Sequence, residues 1–255
     1  MVKIHAIQSK GKQISLDIGT EILWIEPDLI YQYHLHTGME IEDSLFKEMI
    51  LENQELHYFR LCVSKLKKPM TVFELKTLMR REGATHEVVI SVIDKLMKRK
   101  YVDDEAFAVQ YIGIKKLQYG PEKIKEELTK KGVDNQIIQQ LMSQFNEKMI
   151  LNELIPSKIK SIKNKSKKAM MSSVKQYFLA KGFTSEIIES VIISHLSYYS
   201  GHEQELLQKS YEKILRQYQT KYEGYELHQI VMQKLYQKGF KMEDIRNIMH
   251  QHHDA

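Results

Sequence analysis

Cysteine, proline and glycine are scarce in this sequence, whose 255 residues include one cysteine, four prolines and eleven glycines. The single cysteine, Cys62, cannot form an internal disulfide, which predicts a reducing, cytoplasmic setting. So few prolines and glycines exclude collagen-like and linker-rich chains and disfavour turn-dense all-β folds. We therefore expect a mainly α protein.

Long apolar runs are also missing. The longest runs are about four residues, such as Ile22–Ile25, whereas a membrane-spanning helix needs roughly 18. Residues 1–6 lack the apolar core of a signal peptide. Hydrophobic residues still make up 42% of the chain and charged residues 28%, which allows a sizeable core and excludes wholesale disorder. We expect no membrane contact.

Acidic residues are concentrated near the start of the chain and basic residues in the remainder. Residues 1–60 contain five Lys/Arg against ten Asp/Glu, which leaves 33 basic and 23 acidic residues for 61–255. The first part therefore carries a net charge near −5 and the second a net charge near +10. A basic body predicts an anionic partner, because net charge governs association.

The first forty residues have the alternation of a β-rich head. Apolar and polar residues alternate over 2–6 and again over 14–18, on either side of a turn that contains Gly11. Ile22–Ile25 predicts a third strand, which ends before Pro27. A two-stranded ribbon is marginally stable alone, so we expect this head, residues 1–43, to pack on another part of the chain.

Beyond residue 43 the pattern becomes helical and repeats. Four glycines align four copies of one unit, with spacings of 49, 50 and 57 residues. A large apolar residue precedes each glycine by four positions, and apolar residues follow it after six, nine and ten positions. The aligned glycines are Gly83, Gly132, Gly182 and Gly239.

The second copy indicates that each unit contains three short helices. Asp103 can cap a first helix that starts at the next residue. Gly120 suits a left-handed helix end, and Pro121 suits the first position of the second helix. Gly132 then ends the second helix, and Asp134 caps the third.

A unit of three short helices cannot bury its apolar face alone, so stacked neighbours must complete the core. The sequence therefore predicts tandem three-helix repeats in an elongated, curved array, with a small N-terminal β-rich head, and we expect a monomer. The first copy reads as partial, with one helix from Thr71 to Arg81 and another over His86–Arg99. Pro156 should start or kink the first helix of the third copy. The expected boundaries are 1–43 for the head, 44–100 for the partial first repeat, 101–145 for the second, 146–200 for the basic third and 201–255 for the fourth.

The sequence offers little support for catalysis. It contains no P-loop, dinucleotide-binding or nucleophile-elbow motif. Two His-Glu pairs, at residues 86 and 202, lack the second histidine of a zinc-protease helix. The terminal histidines His250, His252 and His253 favour a frayed polar end over a metal site, and the acidic cluster at 103–105 favours helix capping. Cys62 lies in an apolar helical pattern typical of a core. We therefore expect no enzyme, no catalytic residue, no cofactor and no metal.

One segment, residues 157–184, contains eight lysines and neither Asp nor Glu. These lysines could form a solvated connection between helices, or they could contact phosphates, since lysine displaces condensed counterions from nucleic acid. No aromatic residue interleaves the densest stretch, 157–168, so base-stacking readout is not indicated. The candidate residues for partner or DNA binding are Lys158, Lys160, Lys163, Lys165, Lys167, Lys168, Lys175 and Lys181.

The second copy also contains a distinctive series: Tyr101-Val102-Asp103-Asp104-Glu105-Ala106-Phe107-Ala108, Tyr111, Gly120-Pro121, Ile124, Leu128 and Lys131-Gly132-Val133. This series resembles the signature of the RecX regulatory proteins, and the resemblance covers about residues 56–250. The β-rich head and the fourth copy are similar to the longer members from Gram-positive bacteria. Lys67 to Thr71 replace an arginine-rich entry that is frequent in the family, so contacts of those arginines do not carry over.

The resemblance implies a non-enzymatic protein that binds the RecA recombinase and its filament on DNA. It implies modulation, chiefly inhibition, of recombinase, ATPase and co-protease activity in DNA repair, recombination and the SOS response. The residues leave two other interpretations open: a direct DNA-binding protein and a helical-repeat scaffold for another protein. The third helices are mainly apolar and acidic, whereas a recognition helix needs exposed Arg, Asn or Gln.

Overall fold

The computed structural model describes residues 1–11, 13–198 and 203–251. Within these ranges the chain is mainly helical with a small N-terminal β-rich region, which confirms the expected fold class. The strands are β1 (Val2–Lys3), β2 (Ala6–Lys10), β3 (Gln13–Asp17), β4 (Ile22–Ile25) and β5 (Glu40–Ile41). The helices are α1 (Pro27–Gln32), α2 (Asp43–Lys65), α3 (Val72–Arg81), α4 (His86–Lys98), α5 (Asp104–Lys115), α6 (Pro121–Lys130), α7 (Asn135–Ser143), α8 (Glu147–Ser161), α9 (Lys167–Leu179), α10 (Ser185–Ser194), α11 (Glu203–Tyr218), α12 (Gly224–Gln237) and α13 (Met242–Gln251), with a short 3-10 helix at Leu196–Tyr198.

The chain divides into two compact units. The first unit contains Met1–Tyr111 and Leu128–Gln139. The second unit contains Ile112–Glu127 and the residues from Gln140 onward. Each unit has its own buried apolar clusters, two in the first unit and two in the second among the described residues.

The head contains an antiparallel sheet in the order β2-β3-β4, and β1 pairs separately with β5. The predicted hairpin and third strand are confirmed, since Lys10 pairs with Gln13 across the turn and Ile14 pairs with Ile25. The short elements α1 and β5 were not predicted. Pro27 was interpreted as a strand break, whereas it also begins α1, and a two-residue strand leaves too little alternation to recognise.

The core of the head extends onto the first long helix. Met49 of α2 is fully buried in the same cluster as Ile4, Leu16 and Leu29. This contact confirms that the head packs on another part of the chain, as expected of a sheet too small to be stable alone.

Residues 44–100 contain three helices, and the interpretation of the first copy as partial is therefore wrong. The helix α2 was not predicted as part of this copy, because its fully buried residues are few, Met49 and Cys62, and its apolar periodicity is therefore weak. Cys62 is fully buried among residues of α3 and α4, which confirms its predicted core position. Thr71 caps α3 as expected, since its hydroxyl accepts a hydrogen bond from the Glu74 backbone N–H at 3.2 Å.

Later copies follow the predicted start signals. The Asp103 carboxylate accepts from the Ala106 N–H at 2.9 Å, and the Asp134 carboxylate accepts from the Gln136 N–H at 2.7 Å. Pro121 is the first residue of α6, as predicted. Pro156 does not start α8 but lies inside it, and the helix continues to Ser161.

The four aligned glycines have the left-handed backbone that their position after a helix predicts, with φ between 75° and 93°. Gly120 does not share this conformation, and the prediction of a left-handed end there is wrong. Glycine is required at position 120 for a steric reason instead. A Cβ at Gly120 would lie within 3.0 Å of the backbone of Gly182 and Phe183.

A recurring hydrogen bond joins successive copies, and we call each instance a repeat junction. The Thr71 hydroxyl donates to the Lys131 carbonyl at 2.6 Å within the first unit. In the second unit the Gly120 N–H donates to Lys181 and the Ser166 hydroxyl to Lys238, both at 2.7 Å. Each donor precedes the second helix of one copy, and each acceptor precedes an aligned glycine of the next copy. Gly132, Gly182 and Gly239 are therefore needed both for their φ and for close packing against the preceding copy.

Candidate functional site

The lysine-rich segment, residues 157–184, spans the end of α8, the connection to α9, α9 itself and the turn that follows it. The first two lysines lie in the last turn of α8, and the next two lie in the connection. The third pair begins α9. Of the last two lysines, one lies later on α9 and the other in the turn that follows it. In chain order they are Lys158, Lys160, Lys163, Lys165, Lys167, Lys168, Lys175 and Lys181.

The connection between α8 and α9 is fixed by local backbone chemistry. Asn164 adopts a left-handed conformation with φ of 60°, which asparagine tolerates better than most residues. The Ser166 hydroxyl accepts from the Ala169 N–H at 3.2 Å and so caps α9. The same hydroxyl donates to Lys238 in the repeat junction, so the lysines on either side extend from an anchored turn.

The eight candidate lysines divide into two groups by exposure. Five are exposed to solvent: Lys160, Lys163, Lys165, Lys167 and Lys168. The other three are half-buried, and Lys175 among them forms an ion pair with Glu189 of α10. Lys175 is therefore committed to packing α9 against α10, whereas the side chains of the exposed group lie at the surface.

Lys158 and Lys181 converge on one aromatic ring. Their Nζ atoms lie 3.9 and 4.8 Å from the ring centroid of Tyr177, a side chain that is 40% exposed. A cavity of about 260 Å³ beside this ring is also lined by Leu117 and Ser157. Ammonium groups over a tyrosine face are held by the ring quadrupole, which places both charges at one spot on the surface.

A second tyrosine repeats this arrangement nearby. The Nζ atoms of Lys123 and Lys115 lie 4.5 and 5.5 Å from the ring centroid of Tyr119. The Lys181 ammonium donates to the carbonyl of Gln118, at 3.1 Å, and so ties the two arrangements together. We call Tyr119, Tyr177, Lys115, Lys123, Lys158 and Lys181 the tyrosine–lysine cluster.

The aromatic part of this site was not predicted. The densest lysine stretch contains no aromatic residue, whereas Tyr177 lies further along α9 and Tyr119 comes from the preceding copy. One signal was present, since Tyr177 and Lys181 are four residues apart, a spacing that brings side chains together along a helix and at its end. The approach of Tyr119 depends on the repeat junction at Gly120, which no local pattern encodes.

Residues weighed for chemistry have structural roles in the part of the chain that is described. Burial raises the pKa of the Cys62 thiol to about 11, which disfavours the reactive thiolate. The Asp104 carboxylate accepts from the Val72 N–H at 2.8 Å, at the first repeat junction. Residues 1–11, 13–198 and 203–251 bring no three His, Cys, Asp or Glu side chains together as a metal site. His202, His252 and His253 lie outside the described residues.

Among the helices described, none is long and apolar enough to cross a membrane. Tandem three-helix units with a recurring junction define a helical-repeat protein. The family model for the second three-helix domain of RecX matches residues 103–142, which contain α5–α7. The model for the third three-helix domain of RecX matches residues 202–249, which contain α11, α12 and most of α13.

Curated relatives match along most of the chain. The regulatory protein RecX of Oceanobacillus iheyensis is 32% identical over 236 residues, which cover 89% of this chain and 86% of that protein. The regulatory protein RecX of Streptococcus sanguinis is 29% identical over 258 residues, which cover 98% and 100%. The chain belongs to the RecX family of regulatory proteins.

Solved structures show the same fold. A crystal structure of regulatory protein RecX aligns with a TM-score of 0.57 at 19% identity, covering 74% of this chain and 98% of that chain. A crystal structure of RecX from Lactobacillus salivarius aligns with a TM-score of 0.52 at 20% identity, covering 56% and 97%.

Proposed function

We propose that this protein binds RecA and its filament on DNA and chiefly inhibits the recombinase, ATPase and co-protease activities. It would act without enzymatic chemistry of its own, as a monomer in the cytoplasm, in the regulation of DNA repair, recombination and the SOS response. Membership of the RecX family is the observation that carries the proposal, since its relatives are named regulatory proteins.

Repeated units suit a polymeric partner. Each copy supplies a similar three-helix surface, so one chain can contact several identical subunits of a filament. Linked weak contacts raise overall affinity through effective concentration, without one strong contact. In the extended array that the repeats predict, the chain would bind the filament in preference to free RecA.

The exposed lysines supply the electrostatic part of the proposal. Lys160, Lys163, Lys165, Lys167 and Lys168 belong to a segment without Asp or Glu, so nearby carboxylates of the same segment cannot neutralise them. They would contact phosphates of the filament DNA or an acidic groove of the protein. Such contacts position a partner without reading its sequence.

The test replaces Lys163, Lys165, Lys167 and Lys168 by glutamine and measures co-sedimentation with RecA filaments on single-stranded DNA. We expect about tenfold weaker binding and a flatter salt dependence, since each lost phosphate contact reduces the log–log salt slope by roughly 0.7 to 0.9.

A matched control makes the same charge change elsewhere. It replaces the exposed lysines Lys47, Lys98, Lys209 and Lys213 by glutamine and should bind filaments nearly as the unchanged protein does. Equal binding and equal salt slopes for both quadruple variants would contradict the role of the segment. Sequence-specific retardation of duplex DNA without RecA would instead support the direct DNA-binding alternative.

A further inference from the structure

The tyrosine–lysine cluster combines the exposed ring of Tyr177 and the half-buried ring of Tyr119 with concentrated positive charge in the second unit. Residues 112–121 and 157–184, which supply five of its six members, contain no Asp or Glu. The remaining member, Lys123, follows Glu122, whose carboxylate pairs with Lys125 at 2.8 Å. Lys115, Lys158 and Lys181 therefore have no carboxylate in the segments that carry them, whereas α6 carries Glu126 and Glu127 one turn after Lys123.

Aromatic rings beside lysines match the chemistry of a single-stranded nucleic acid. Bases stack on an exposed tyrosine through their π-faces, and phosphates of the same strand take up the lysine charges. Lysine stems are flexible, so an ammonium group can move from the ring to a phosphate while a base covers the ring. A duplex would present phosphates alone, because its bases are already stacked on one another.

We propose that this cluster is a binding site for single-stranded nucleic acid, in which Tyr177 and Tyr119 stack bases. Lys158, Lys181 and Lys123 hold the adjoining phosphates, and the small cavity beside Tyr177 receives a base edge. Leu117, which lines that cavity and is 44% exposed, adds apolar contact to the base.

The same chemistry recurs at the next repeat junction of the second unit. The Lys168 Nζ lies 5.7 Å from the ring centroid of Tyr236, a side chain that is 52% exposed. Lys167 and Lys241 line the same groove, together with the acidic side chains of Glu203 and Asp244. Each of these junctions thus carries a tyrosine with adjacent lysines, but the second also holds carboxylates, so the first is the better match to a base and its phosphates.

This inference deepens the proposed function, because it assigns the DNA contact of a RecA regulator to a strand and a site. It is tested without RecA, so its failure is distinguishable from failure of filament binding. The full chain is titrated into a labelled oligothymidylate of about 20 nucleotides, and binding is followed by fluorescence anisotropy.

The first arm compares this oligonucleotide with an abasic strand of equal length and charge. We expect the abasic strand to bind at least about fivefold more weakly, since each stacked base contributes severalfold to affinity. Equal affinity for both strands would overturn the stacking role, and absence of binding to either strand would overturn the site. Binding of a labelled polyglutamate that unlabelled oligothymidylate fails to displace would assign the surface to an acidic protein and overturn the proposal.

The second arm uses variants. Tyr177→Leu should weaken oligothymidylate binding about tenfold, whereas Tyr177→Phe, which keeps the ring, should restore it. Replacing Lys158 and Lys181 by glutamine should make the log–log salt slope shallower by about 1.4, at roughly 0.7 per phosphate on a single strand.

Tyr225→Leu is the matched control, because Tyr225 is 79% exposed on α12 of the same unit and lies outside the cluster. It should bind as the unchanged protein does. An equal loss for Tyr225→Leu and Tyr177→Leu, or no loss for either, would overturn the proposed site. Because the abasic comparison uses the unchanged protein, it tests base stacking even where a variant fails to fold.

Discussion

The Asp104 carboxylate joins two copies of the repeat, because it lies at the start of α5 and bonds to the start of α3. Asp104 is the first residue of α5, and its oxygen accepts from the Val72 N–H at the start of α3. Burial raises the pKa of Asp104, and the neighbouring carboxylates of Asp103 and Glu74 raise it further. The hydrogen bond from Val72 and the charge of Lys76 act in the opposite direction without cancelling these effects.

The raised pKa has a defined consequence for stability. The folded state holds a proton on Asp104 at pH values where the unfolded chain has released it. Folding is therefore favoured by this group below its ordinary pKa of 3.8, and that contribution is lost as the pH rises through the folded value.

Asp104→Asn should therefore raise the thermal midpoint of the protein near neutral pH. Asparagine keeps an oxygen that can accept from Val72 and has no charge to desolvate, so we expect a modest gain. The gain should shrink as the pH falls towards 3.8, where the aspartate is protonated as well. Thermal unfolding of both proteins by circular dichroism between pH 4 and 8 measures this.

Glu105→Gln is the control, because it removes one charge from the same helical turn at an exposed position. It should show no comparable gain near neutral pH. A lower midpoint for Asp104→Asn than for Glu105→Gln at pH 7 would contradict a raised pKa at Asp104.

At the scale of the helix, the repeat junctions hold successive copies together through backbone contacts. At Gly120 the backbone N–H that precedes α6 donates to Lys181, and the chain approaches Gly182 so closely that no side chain fits. Glycine residues ordinarily weaken structure through their entropy in the unfolded chain. Here the absence of a Cβ allows two copies to meet backbone to backbone.

Gly120→Ala should destabilise the protein by about 3 kcal/mol, since the added methyl group meets backbone atoms that cannot move independently. Gly113→Ala is the matched control in α5, where a Cβ would have no neighbour within 4 Å. That substitution should stabilise by about 0.5 to 1 kcal/mol, because alanine favours the helix. Urea unfolding of both variants measures the difference, and equal stabilities would contradict the junction.

At the scale of the element, features that depend on neighbouring residues could be predicted from the sequence, whereas contacts between distant residues could not. The caps at Thr71, Asp103 and Asp134 and the four aligned glycines could all be predicted, because each depends on residues within one turn. The junction between Thr71 and Lys131 joins residues 60 positions apart, so no local pattern indicates it. The wrong prediction at Gly120 has the same origin, because glycine at a helix boundary can mean either left-handed backbone or close approach.

At the scale of the whole molecule, repetition was the strongest signal. Four copies in register predict a helical-repeat protein, and two family domains match within the chain. The candidate site was only half predictable. Lysines are visible in composition, whereas their division into exposed, ion-paired and ring-bound groups depends on neighbours such as Glu189 and Tyr177.

The central claim is that this chain regulates RecA, and ATP hydrolysis by the cognate RecA on single-stranded DNA tests it most directly. RecA saturates the DNA, and this protein is titrated in at ratios well below one per RecA subunit. We predict inhibition at these low ratios, because one repeat protein bound to a filament affects many subunits, whereas competition for DNA requires amounts comparable to the binding sites. Unchanged hydrolysis at every ratio, with the filament intact, would contradict the account.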